Sequence, residues 1–387
     1  MSNKLFFLIT SSILLSTSLA FGAGYFLRAA TSSDSSLFDP LPSFTRPIAK
    51  ELPLRKYAIP TLAEQIKNEN VSYSPLQVSR LLSSDPATNL YTLLFTYQSR
   101  GQQISGALNL QLELTASIAA TDSALPVVLM LRGFAPLESY YSGMGTKNAA
   151  AVFAQNNYLT LAPDFLGYGE SDPEPTDAWE ARFIKPLQVI DLLRTLEQHP
   201  TIDLSSVAEA PVSSITLDPA RVGIWAHSNG GQIAVTTLQI LGRNLPTTLW
   251  APVLAPFPYS VLYFSDENPD EGKEARKWLS MFEADYDAFD FSLTQHLDRL
   301  QGPLQIHHGG RDDAALISWS QEFLDKVDLE NKHRASVSTS INNPTASAEI
   351  EVDFYQYPSA NHNLQPNWDQ VVQRDLQFFT KHLQKKN

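Results

Sequence analysis

The sequence predicts an α/β fold, with a mostly parallel, doubly wound sheet and helices on both faces. Three observations carry this. From about residue 125, short apolar runs alternate with segments that are apolar at helical spacing. The runs are continuous in Val, Leu and Ile, as in strands buried on both faces. Hydrophobic residues make up 43% of 387 residues, enough to fill a core of that size, and no internal repeat is visible.

The elements follow in order. Lys4 is followed by LFFLITSSILLSTSLAFGAGYFL, residues 5–27, which carries no charge and is long enough to span a bilayer as a helix. Ser18-Leu19-Ala20 offers the small residues that a signal peptidase reads. Residues 1–30 are therefore expected to be a cleaved signal or a membrane anchor, with the rest of the chain outside the cytoplasm. Residues 31–55 are rich in Ser and Pro without periodicity and read as a linker. The main α/β region is expected over 56–387. Its first part, 56–120, is an N-terminal β extension with a short helix at AIPTLAEQIKNEN and a hairpin turning at Ser99-Arg100-Gly101-Gln102.

The core alternation then begins. PVVLMLRGF is a strand, Ala149 to Gln155 a helix, and NYLTLAPDFLGYG a strand with a Gly-rich exit. Residues 187–199 are helical, ARVGIWA is a strand and NGGQIAVTTLQILGR a helix. LWAPVLAP, PLQIHHGG and EIEVDFYQYP are further strands; ISWSQEFLDKV and WDQVVQRDLQFFTKHL are helices. Residues 259–300 interrupt this order and are expected to form a cap over the carboxyl edge of the sheet. Their apolar residues Tyr263, Phe264, Trp278, Met281, Phe282 and Tyr286 suit a pocket wall or core packing equally. The acidic run Asp266, Glu267, Asp270, Glu271 and Glu274 reads as a solvated face. Residues 334–348 are polar and read as a surface loop.

Charge and composition exclude several function classes. The net charge is -13, with 28 basic against 41 acidic residues, which works against nucleic acid and anionic lipid surfaces. There is no cysteine, so disulfides, thiolate metal sites and a cysteine nucleophile are excluded. No cofactor or metal is implied.

Between a strand and a helix stands Ala226-His227-Ser228-Asn229-Gly230, close to the G-x-S-x-G pattern. A strand that turns into a helix within two residues strains the serine backbone and demands small neighbours, here Ala226 and Gly230. The serine is lifted above the sheet, and the N–H of Asn229 faces any oxyanion formed beside it. The bland alternative is a serine that merely caps a helix. A nucleophilic serine needs a base and an orienting acid. Asp312 follows one later strand and His362 the last one, in the expected chain order of acid then His. Asp313 competes with Asp312, which is favoured because it follows the turn directly. His307 and His308 lie within a strand and read as structural. The loop after the first core strand should supply a second oxyanion donor, and the N–H of Phe134 after Gly133 is the candidate. Arg132 suits a surface position or a substrate contact.

FTYQSRGQQISGALN, VVLMLRGF, LTLAPDFLGYGESD, GIWAHSNGGQIAV, PLQIHHGGRDDAALISWS and YPSANHNL together resemble the catalytic domain of the prolyl oligopeptidase family, within the α/β-hydrolases. The resemblance runs from about residue 94 to the C-terminus. It implies an α/β-hydrolase fold, a triad of Ser228, Asp312 and His362, and a structural loop signature at Asp164, Gly167, Gly169 and Asp172. Ala226 departs from the usual Gly, and Ala314-Ala315-Leu316 stands where the family often has Val-Pro. No propeller fits in the chain. The expected activity is acyl transfer to water, with a peptide bond placed ahead of a carboxylic ester. A non-catalytic binding protein on the same fold is the alternative from another class. The expected partner is a peptide or ester substrate, not nucleic acid; membrane contact is expected only through residues 5–27, and the oligomeric state stays open.

Overall fold

The computed structural model describes residues 50–112, 124–208, 210, 212–341 and 348–383. The export segment and most of the linker expected from sequence lie outside these residues. Among the described residues, no helix is long and apolar enough to cross a membrane.

One mixed sheet organises the chain. Its strands are β1 (Gln77–Asp85), β2 (Leu90–Ser99), β3 (Gln102–Gln111), β4 (Leu125–Leu131), β5 (Leu159–Pro163), β7 (Ser214–His227), β8 (Thr247–Trp250), β9 (Leu304–Gly309) and β10 (Val352–Tyr357); the short β6 (Thr201–Asp203) pairs with the start of β7. The spatial order is β1-β2-β3-β5-β4-β7-β8-β9-β10. From β5 through β4 and β7 to β10 every pairing is parallel, whereas β1, β2 and β3 are antiparallel. The β2–β3 hairpin turns at Arg100 (φ 52°) and Gly101 (φ 81°), the two positive φ values that a tight two-residue turn requires. Residues 77–111 are thus part of the main sheet, joined to it where β3 pairs with β5.

Helices cover both faces. Helix α2 (Lys147–Gln155) and the C-terminal α9 (Trp368–Leu383) pack on one face around Phe153, Trp225, Trp250 and Phe379. The other face takes α1 (Ile59–Asn68), α4 (Lys185–Gln198), α5 (Asn229–Leu241) and the start of α8 (Ile317–Ile341), through Ile59, Leu192, Leu238 and Phe323. A two-sided apolar burial of this kind is what the continuous runs of β4, β5 and β7 require. Helix α1 packs on α5, so the segment before the core alternation buttresses the helix that follows Ser228.

Residues 259–300 carry α6 (Tyr259–Ser265), α7 (Lys273–Glu283) and two 3-10 turns. Phe282 and Tyr286 join an aromatic cluster with Trp179, Phe183, Phe257 and Phe291, whereas Phe264, Trp278 and Met281 are exposed. The cluster ties the insertion to α3 (Ala178–Phe183), whose Trp179 and Phe183 rings are both part of it.

The loop expected over 334–348 is corrected in its first half. Helix α8 continues to Ile341. Arg334 explains the continuation: its guanidinium donates to the carbonyls of Leu297, Asp298, Leu300 and Ala348 and pairs with Glu330 one turn back. A tertiary anchor overrides the polar local sequence.

Candidate active site

The carboxyl ends of β4, β7, β9 and β10 converge, and each supplies part of one site. Ser228 follows β7 at φ 55° and ψ -122°, a region that a non-glycine residue occupies only when its surroundings force it. The surroundings do so. The Ser228 N–H donates to Trp250 O at 2.9 Å, and the Ser228 carbonyl accepts from Gly231 and Val253. The side chain makes no capping hydrogen bond to α5, so the plain helix-cap reading fails. Gly230 is obligatory, because a Cβ there would stand 2.1 Å from Leu131 O. Ala226 is fully buried and its methyl is accepted in the last turn of β7.

His362, in the loop after β10, points Nδ1 at Asp312, in the loop after β9, at 3.0 Å from both carboxylate oxygens. A carboxylate only accepts, so Nδ1 carries the proton and the Nε2 lone pair is left for another donor. The Asp312 side chain is fully buried. Burial alone raises a carboxyl pKa, but hydrogen bonds from His308, from His362 and from the Ala315 N–H outweigh it and hold Asp312 well below the usual carboxylate range. Asp313 is exposed, and Asp312 is the carboxylate that His362 meets.

Two histidines join the site in positions that motif reasoning missed. His308 was expected to be purely structural. Its Nδ1 lies 2.9 Å from Ser320 Oγ, while Nε2 lies 2.8 Å from Ala315 O and 3.3 Å from Asp312 Oδ2. It therefore gives Asp312 a second imidazole partner beside His362. His227, one residue before Ser228, donates from Nε2 to the main-chain oxygen of His362 at 3.1 Å, with ring centroids 4.8 Å apart. Burial, then the neighbouring His362, pull His227 down to about 4, so it stays a neutral donor at ordinary pH. His307 is structural as expected, paired with buried Asp375 and Tyr357. The loop carrying His362 is thus tied to the residue beside Ser228; within the described residues, no hydrogen bond joins Ser228 Oγ to the imidazole. Such contacts often close only when substrate is bound.

The loop after β4 lies against the serine: a Cβ on Gly133 would stand 2.8 Å from Ser228 Cβ. Arg132 is not a surface cation. It is buried, donating to Gly133 O and Asp164 O at 2.9 Å each, and stacked 4.0 Å from the Tyr168 ring centroid. Because a trans peptide is planar, fixing the Gly133 carbonyl also fixes the Phe134 N–H on the opposite side. The Phe134 side chain itself is 81% exposed. Asp164 holds this loop from below through Ser105, Tyr140 and Ser142 hydroxyls at 2.6, 2.7 and 2.7 Å. Gly169 approaches Asp164 so closely that a Cβ would meet Oδ2 at 2.2 Å. Asp172 closes the same loop onto β3 by accepting from the Gln103 N–H at 2.7 Å.

The sequence profile of the prolyl oligopeptidase family matches residues 191–386, which include Ser228, Asp312 and His362. The chain belongs to the prolyl oligopeptidase family. It is a serine hydrolase, and its fold is the α/β-hydrolase fold. No curated protein matches it by sequence. Among solved structures, an acetyl xylan esterase from Paenibacillus sp. R4 is similar at 12% identity, with a TM-score of 0.55, over 84% of this chain and 99% of that one. Acetyl xylan esterase 1 from Thermoanaerobacterium sp. JW/SL YS485 is similar at 13% identity, with a TM-score of 0.52, over 86% and 99%. An esterase from Pyrococcus furiosus gives 14%, 0.50, and 81% and 99%. At these identities the likeness is one of fold.

Proposed function

We propose that this prolyl oligopeptidase family member cleaves acyl bonds through an acyl-enzyme on Ser228. The observation that carries the proposal is the His362 Nδ1–Asp312 pair at 3.0 Å, anchored through His227 to the residue beside a serine in a strained elbow. Ser228 Oγ attacks the acyl carbonyl while His362 Nε2 takes its proton. Asp312 orients the ring and stabilises the imidazolium. The N–H groups of Asn229 and Phe134 face the oxyanion. His362 returns the proton to the leaving group, and a water activated by the same ring frees the acid. Ala226 and Gly230 are the small residues that let the elbow form.

Family membership puts a peptide bond first as the scissile bond. A carboxylic ester is the second reading, favoured by the 99% coverage of two acetyl xylan esterases of the same fold. The uncharged run over residues 5–27 supports export or anchorage outside the cytoplasm. Labelling with a fluorophosphonate probe tests the nucleophile. The label is expected on the parent protein and absent from Ser228→Ala. Unlabelled, folded parent protein would refute an activated serine. The ratio of p-nitroanilide to p-nitrophenyl ester turnover then decides between the two bonds.

A further inference from the structure

A cavity of about 240 Å³ opens against α5, lined by Asn229, Gln232, Arg182, Lys185 and Glu174 among others. It begins one residue from Ser228. Residues 229, 232, 233 and 236 form its α5 wall at helical spacing, and α3 and the first turn of α4 form the other. Its volume is below that of a drug-sized ligand site and suits a single side chain or short acyl arm.

The charge inside is unusual for this chain. The molecule as a whole carries -13, yet two cations face this cavity and neither forms an ion pair among the described residues. Arg182 spends one nitrogen, Nη2, on Gln232 Oε1 at 2.7 Å and Ser260 Oγ at 3.2 Å. Its Nε is cut off from solvent and has no partner. The buried Arg334 provides the contrast: all three of its nitrogens are bonded to protein oxygens. Lys185 is half-buried and donates to nothing among the described residues. Burial, then the adjacent Arg182, pull it down to about 8, with the field of Glu174 opposing; burial pulls Arg182 down to about 10. Unpaired, poorly solvated cations are costly to retain, and a carboxylate accepting from both would relieve the cost. Arg182 is held rigidly for this role, since its helix neighbours Trp179 and Phe183 are locked in the aromatic cluster.

We propose that this cavity is a specificity pocket for a carboxylate on the acyl arm of the substrate, with Arg182 and Lys185 as its cationic recognition pair. The acyl side follows from Asn229, which walls the pocket and whose N–H faces the acyl oxygen in the reading above, on which this inference rests. The planar guanidinium offers Nη1, which makes no hydrogen bond among the described residues, to a carboxylate, and Lys185 adds a point charge. Glu174, exposed at the mouth, competes with that carboxylate for Lys185.

The test compares mono-p-nitrophenyl glutarate with p-nitrophenyl valerate on the full chain. Both have the same leaving group and arm length, and only one has a terminal carboxylate. The ratio of their kcat/KM values is expected to exceed one in the parent and to fall at least about tenfold in Arg182→Gln and in Lys185→Gln. Arg182→Lys should restore part of it, and Glu174→Gln should raise it. A ratio unchanged in folded variants overturns the pocket. A second measurement separates this from the catalytic reading: calorimetric binding of free glutarate to Ser228→Ala protein, with and without Arg182→Gln. Binding that the second substitution weakens supports the pocket even if no ester is turned over. Absence of binding at millimolar glutarate overturns it even if Ser228 is labelled.

Discussion

At the scale of single residues, the site depends on groups that hold other groups. His308 donates to Asp312 alongside His362, and a buried carboxylate deprived of that donor regains the burial penalty. His308→Leu should therefore lower kcat about tenfold or more with little change in KM, whereas His308→Gln should lose less. Steady-state kinetics on one ester separates the two. Gly230→Ala has a different cause. Its methyl would meet the Leu131 carbonyl, so α5 must move off β4 and take Asn229 with it. Expected are a loss of about 2 kcal/mol or more in denaturant unfolding and a fall in fluorophosphonate labelling rate. Lys185→Met should do the opposite to stability, raising it by about 1 kcal/mol at pH 7 by removing an unpaired, poorly solvated charge, as chemical denaturation would register.

At the scale of elements, what was legible in sequence followed the local pattern, and what was missed followed tertiary contacts. Strands β4, β5 and β7 announce themselves by continuous apolar runs, and the acid and His fall in the loops after β9 and β10 as the spacing suggested. The hairpin at Arg100-Gly101 was readable because Gly101 takes a positive φ without strain; nothing in the sequence marks Arg100 for one. Nothing local marks residues 334–341 as helical, because they are polar, and the anchor that extends α8 lies on residues 297–300. Arg334→Ala should therefore fray the C-terminal part of α8 and cost about 3 kcal/mol, seen as lost protection in hydrogen exchange and an earlier denaturation midpoint. The roles of His227 and His308 were hidden for a similar reason. Neither belongs to a spacing motif, and only the meeting of four strand ends gives them partners. The His-Ser adjacency at 227–228 was the one visible hint.

At the scale of the whole molecule, acid should destabilise the fold in two stages. Asp312 is held below its unfolded value, so the stability it contributes is present above the usual carboxylate range and is lost as pH falls through it. His227 is depressed from 6.5 to about 4. Between those values the unfolded chain binds the extra proton, so stability should already decline as pH falls from 6.5 towards 4. Thermal midpoints measured across this range should show the first decline flattened in His227→Gln, with the steeper fall at lower pH retained. A further consequence comes from Asp164. Its carboxylate gathers hydroxyls from β3 and from the loop after β4, while Arg132 links that loop to the Asp164 backbone. The Gly133–Ser142 strip is therefore stapled to the middle of the sheet and has no separate hinge. It cannot act as a door.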